Sequence, residues 1–114
     1  MRVYIAGSYS ADSAEEVHRN VARAMEVARE VYLAGHEPVV PHILHFMHLD
    51  WVTKGTFPPE SFWVKCGAHL LEGCQAILMM ENWQHSRYAK KEFDWAGELN
   101  ISTYFSVEDL PDGD

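Results

Sequence analysis

Residues 75–105, QAILMMENWQHSRYAKKEFDWAGELNISTYF, decide the fold. The run 75–80 is continuously apolar and too short for a helix, so it reads as a strand buried on both faces. A polar loop follows at 81–86. Residues 87–99 then repeat with helical period, and 101–105 form a second short strand. Strand, loop, helix and strand in that order are one β-α-β unit, which requires a parallel sheet.

The same alternation extends towards the N-terminus. Residues 2–6, RVYIA, form a β-branched and aromatic strand that stops at Gly7. Residues 14–34 form a helix, with Val17, Val21, Ala24, Ala28 and Val31 on one stripe and Gly35 as its stop. The segment 36–41 carries Pro38 and Pro41 around two valines, which suits a strand at or near a sheet edge. Residues 42–59 are the least legible, holding three His, Trp51 and Pro58-Pro59, and a connection of that length carries short helices or function. Residues 60–73 read as a helix entered through Pro59. The tail 106–114 is polar and is expected to be loosely held. The predicted fold is therefore α/β and three-layered, with a mainly parallel sheet of four to five strands in the order 2-1-3-4. It is of the flavodoxin or Rossmann-like type and forms one domain over residues 1–114.

A length of 114 residues suits one domain. The net charge of −8 argues against a surface that tracks DNA or RNA phosphates. No apolar run approaches the ~20 residues of a membrane span. The opening residues read as strand and turn and not as a signal peptide. Cys66 and Cys74 stand roughly 12 Å apart along a predicted helix, too far for a disulfide. A cytoplasmic protein with free thiols is expected. Four Trp and five Phe exceed the needs of one small core, so a homodimer or higher homo-oligomer is expected.

Ligands of such sheets bind outside the carboxyl ends of the strands. There the sequence places Gly7 to Ser10, Pro41-His42 and the loop 81–86. Gly7 admits a close backbone approach, and Ser8 and Tyr9 add hydroxyls. His42 follows a strand end. Trp83 either stacks on a base or packs over the sheet end, and Ser86 either donates to a ligand or only caps its helix. His42, His45 and His48 spread around a helix and do not converge, so no metal or other cofactor is expected.

Glu92 is the most informative residue. With Tyr88 as angular origin, Ala89, Phe93, Ala96 and Leu99 occupy an arc of roughly 20° to 140°, and Glu92 falls inside it near 40°. A carboxylate on a core-facing stripe is costly unless something pairs with it or binds there. It is either a site residue or half of a structural ion pair.

Three stretches together resemble the nucleoside 2-deoxyribosyltransferase-like superfamily. They are Val3 to Ser10 with Asn20 and Ala24, Gly35-His36 through Val39-Val40-Pro41-His42, and Leu71 through Cys74-Gln75-Ala76-Ile77, Trp83 and Ser86 to Ala89 and Glu92. The last is similar to a segment with a cysteine, an Asp, an apolar strand, Gly-Trp and Ser-x-Gly-Ala-x-x-Glu. The resemblance implies cleavage or transfer at the N-glycosidic bond of a (deoxy)nucleoside or nucleoside monophosphate, with Glu92 attacking the anomeric carbon. It also implies subunits that complete one another's sites. The alternative is a non-catalytic nucleotide-binding module of the same fold. Gln75, Asn82 and Tyr88 depart from the pattern. Gly67 stands where a second acidic residue is expected, which leaves Tyr9, or Asp50 or Glu60 folding in, to assist departure of the base. The expected site is thus Glu92 and Tyr9 as catalytic groups, with Gly7, Ser8, His42, Trp83 and Ser86 on the substrate.

Overall fold

The computed structural model describes residues 1–113. Four strands form one sheet: β1 (Arg2–Ala6), β2 (Glu37–Val39), β3 (Ala76–Met79) and β4 (Ser102–Tyr104). Their order is β2-β1-β3-β4, and every pairing is parallel. The helices are α1 (Ala14–Leu33), α2 (Leu44–Thr53), α3 (Glu60–Glu72) and α4 (Arg87–Glu98), with 3₁₀ turns at Pro41–Ile43, Trp83–His85 and Val107–Asp109. The sequence places the same strands and helices in the same order, β1 with the same bounds and the others one or two residues longer at one or both ends. It leaves α2 unread.

The sheet is covered on both sides. Val3, Ile5, Ala76 and Leu78 pack against Ala24, Ala28 and Val31 of α1. Tyr4, Ala6, Ile77 and Met79 point the other way, against Leu71 of α3 and Ala89 and Ala96 of α4. This alternation is the period-2 geometry of a strand with both faces buried. The protein is a three-layer α/β fold of the Rossmann or flavodoxin-like type.

Local chemistry fixes the ends of the helices. Ser13 caps α1 by accepting from the Glu16 N–H at 3.1 Å. Ser86 caps α4 by accepting from the Ala89 N–H at 3.1 Å. Gly35 ends the α1 connection at a φ of +92°, a conformation that L side chains rarely adopt.

The tail is tied down through residue 113, contrary to the expectation of a loose end; Asp114 lies outside the described residues. Leu110 is buried, and Gly113 packs on the backbone of Ala34 and Gly35. His36, itself buried, takes Met1 N at 3.1 Å through Nδ1 and meets the Pro111 carbonyl at 2.7 Å through Nε2. Among the described residues no helix is long and apolar enough to cross a membrane, and both cysteines are unpaired.

Candidate functional site

A cavity of about 630 Å³ opens at the carboxyl ends of the strands. Gly7, Tyr9 and Ser10 come to it from the loop after β1, and Pro41 and His42 from the turn after β2. His85, Ser86 and Arg87 come from the start of α4. Its walls are the faces of α2 and α3 that carry His45, His48, Trp63 and Gly67, while Glu92 and Trp95 come from α4. The volume lies in the usual range for small-molecule sites.

Glu92 sits on the cavity wall, partly buried. Ala89 and Ala96 of its helix are buried and Phe93 is half-buried, so the apolar stripe inferred from periodicity exists. Leu99, beyond the last turn, is exposed. No lysine or arginine pairs with Glu92; its partner is the Tyr4 hydroxyl, which donates to Oε2. Burial raises the Glu92 carboxyl to about 7, and the Tyr4 hydrogen bond works against that rise. The group therefore titrates near neutrality. Tyr4 is fully buried in β1, and burial, the Glu92 charge and their hydrogen bond together raise its own pKa well above 10.

Tyr9 was expected beside Glu92. It lines the same cavity, but its hydroxyl bonds His45 Nδ1 at 2.7 Å, so the donor to Glu92 is Tyr4 and not Tyr9. The Tyr9 carbonyl accepts from Asn20 Nδ2 at 3.1 Å, which anchors the β1 loop to α1. Desolvation raises the Tyr9 phenol and lowers His45, the latter helped down by His48 and His18.

His42 is buried, and neither ring nitrogen has a hydrogen-bond partner. A buried unpartnered imidazole is costly and suits a ligand group that would complete it. Burial lowers its pKa, opposed by the nearby backbone of Ser8 and Gly7. Neither of these makes a hydrogen bond of good geometry with the ring.

The structure brings Gly7, Tyr9, His42, Ser86 and Glu92 to one cavity. Ser8 and Trp83 are not among its lining residues. The Ser8 N–H donates to Asn82 Oδ1 and its hydroxyl donates to the Asn82 carbonyl, each at 3.1 Å, so both polar groups clasp the loop after β3. Trp83 stacks on Phe93 with ring centroids 5.0 Å apart and planes 18° from parallel, and it also meets Phe105. Its ring covers the sheet end, the packing alternative. Gly7 admits no side chain, since a Cβ there would stand 2.6 Å from Met80 Sδ and 3.0 Å from Asn82 Oδ1.

Two further candidate acids are held in ion pairs. Asp50 pairs with Lys54 at 2.7 Å on exposed α2. Glu60 lies at the rim and accepts from Arg87 at 3.0 Å. Gly67 lies against the Tyr4–Glu92 pair: a Cβ built on it would lie 3.2 Å from Tyr4 Oη and 3.7 Å from Glu92 Oε2. Among the described residues, no group of three or more His, Cys, Asp or Glu is placed to hold a metal ion.

Sequence reasoning missed Tyr4, Trp63, Arg87 and Trp95. Tyr4 had a signal, a hydroxyl inside an otherwise apolar strand. A strand buried on both faces gives no parity from which to read its direction.

No curated protein matches the chain in sequence. Among solved structures, it is similar to the 2-deoxyribosyltransferase of Bacillus psychrosaccharolyticus, with a TM-score of 0.60 and 17% identity, covering 90% of this chain and 69% of that one. At that identity the likeness shows a shared fold. A family model described as a domain of unknown function, DUF7768, matches residues 1–106, and the chain belongs to that family.

Proposed function

We propose that the chain acts, as one domain, on the N-glycosidic bond of a (deoxy)nucleoside or nucleoside monophosphate, cleaving it or transferring its sugar, with Glu92 as nucleophile. The observation that carries this reading is the Glu92 carboxyl. It stands on an apolar helix stripe, without a cationic partner, in a cavity at the strand ends, and takes one hydrogen bond from Tyr4. The fold shared with a 2-deoxyribosyltransferase supports it. In the reaction the sugar would seat with its anomeric carbon at Glu92, whose charge meets the positive charge developing there. The Tyr4 hydroxyl favours the ionised carboxylate. Backbone at Gly7, the start of α4 at Ser86 and the free nitrogens of His42 would hold the polar groups of the substrate.

A second reading, a nucleotide-binding module without catalysis, is favoured by Gly67 standing where a second carboxyl would be needed. Incubation with nucleosides and nucleoside monophosphates, followed by chromatography for free base, separates the two. Release of base by the wild type, lowered on the order of a thousandfold in Glu92→Gln with binding retained, is the outcome expected of a covalent path. Undiminished turnover in Glu92→Gln removes this carboxyl from the reaction. Binding with no release from any substrate favours the module.

We also propose self-association. α2 buries none of its residues and exposes Phe46, Leu49 and Val52 along its length.

A further inference from the structure

The acid–base groups of the cavity narrow the substrate class, an inference that rests on the glycosidic reading. Breaking an N-glycosidic bond to a neutral base leaves negative charge on nitrogen unless an acid protonates it. Retaining glycoside chemistry therefore pairs a nucleophile with a second carboxylic acid. Among the described lining residues the carboxyl groups are Glu92 and Glu60. Glu60 is paired with Arg87 at 3.0 Å, with 64% of its side chain exposed. The wall position opposite Glu92 is Gly67, and a Cβ there would already be 3.7 Å from Oε2, so this is where an acid would reach the bond. The Tyr4 proton is committed to Glu92, and the Tyr9 hydroxyl is engaged with His45. Both phenols are raised by burial, and His42 and His45 are lowered, which makes these four poor proton donors at neutral pH. The other lining imidazoles and phenol, His48, His85 and Tyr88, make no hydrogen bond to Glu92, whose partner is Tyr4.

What remains favours a cation. With Glu60 paired to Arg87, Glu92 is the lining carboxyl without a cationic partner, and Tyr9, Trp63 and Trp95 are aromatic residues of the same lining. The chain as a whole carries −8, which draws cations to a cleft.

We propose that the substrate is an N-glycoside whose base is already positively charged, such as a pyridinium riboside or an N7-alkylated purine nucleoside. A Glu92 carboxylate oxygen bonds to the anomeric carbon as the carbon–nitrogen bond breaks. The electron pair of that bond returns to the ring, cancels its positive charge, and the neutral base leaves without a proton. Water then bonds to the anomeric carbon, Glu92 departs as carboxylate, and the proton lost by the water passes to solvent. The sum is cationic glycoside plus water giving neutral base, free sugar and one proton.

The test uses the purified full chain with nicotinamide riboside and 7-methylguanosine against adenosine, guanosine, cytidine and uridine, with free base measured by chromatography and spontaneous release subtracted. We expect kcat/KM for the cationic pair to exceed that for the neutral set by about a hundredfold or more. Across ring-substituted pyridinium ribosides the rate should fall on the order of tenfold for each unit by which the leaving pyridine becomes more basic, the mark of departure without acid assistance. Cleavage of neutral nucleosides at equal or greater kcat/KM overturns this proposal and leaves the glycosidic reading standing. A rate independent of leaving-group basicity overturns it as well. Binding of the cationic probes with no release of base from any compound, cationic or neutral, overturns both. Release that persists unchanged in Glu92→Gln overturns the step through that carboxylate.

Discussion

Burial and the Tyr4 hydroxyl pull the Glu92 carboxyl in opposite directions, and burial wins, leaving it at about 7. A carboxyl raised on folding keeps a proton that the unfolded chain has already lost, so the native state is penalised as pH rises from about 4.5 through about 7. At one pKa unit per ~1.4 kcal/mol the full penalty is on the order of 3 kcal/mol. Glu92→Gln should therefore match the wild type in urea denaturation at pH 4 and exceed it by up to about 3 kcal/mol at pH 8. A difference that does not change with pH would show that the carboxyl is not buried as described. On the proposed reaction, turnover should run the other way, rising with pH through about 7 as Glu92 ionises. Tyr4→Phe keeps the ring and removes the donor. A hydrogen bond to a charged acceptor is worth about 1.5 to 3 kcal/mol, so the rising limb of the rate profile should move up by roughly one to two units. A profile that stays in place would mean that Tyr4 does not act on Glu92. Residue by residue, the site was legible where a strand end names its own position, as at Gly7 and His42, or where a carboxylate breaks an apolar stripe, as at Glu92. It was illegible at Tyr4, whose direction depends on which face of a doubly covered sheet it joins, and at Ser8, whose partner Asn82 is 74 positions away.

At the scale of elements, β1 and β3 could be read because a strand buried on both faces must be apolar without a break. α1 could be read because one face only is buried. α2 could not, since Leu44, Phe46, Leu49, Trp51 and Val52 surround it with no polar face, and it lies beside the cavity without entering either core. The rim of β2 is set by the turn at Gly35, whose φ of +92° places it in the left-handed region, with Gly113 Cα 2.9 Å from where a Cβ would stand. Gly35→Ala should cost about 1 to 2 kcal/mol from backbone strain alone, and more if the tail is displaced. Chemical denaturation measures it. An unchanged midpoint would place the strain elsewhere.

The whole molecule is elongated, 44 × 27 × 24 Å, and its exposed aromatic groups include Phe46, 56% exposed, and Phe57, 70% exposed. A second ring group, Trp51, Phe62 and Trp63, packs between α2 and α3 with centroids 5.0 to 6.1 Å apart. That cluster uses some of the aromatic surplus internally, and the self-association proposal rests on the rest. Phe46→Glu places a charge on the exposed face of α2 and should shift the protein to a monomer by light scattering without unfolding it. A wild type that is already monomeric at micromolar concentration would end that proposal.

The His36 clasp has a practical consequence. One imidazole bridges residues 1 and 111, so the two ends of the described chain meet within the width of a single ring. They meet at the amino ends of the parallel strands, the pole opposite the cavity. A short peptide joining residues near these two points would span little distance and lie away from the cavity. A surface tether or a fluorescent partner attached there would leave the mouth of the cavity facing free solution.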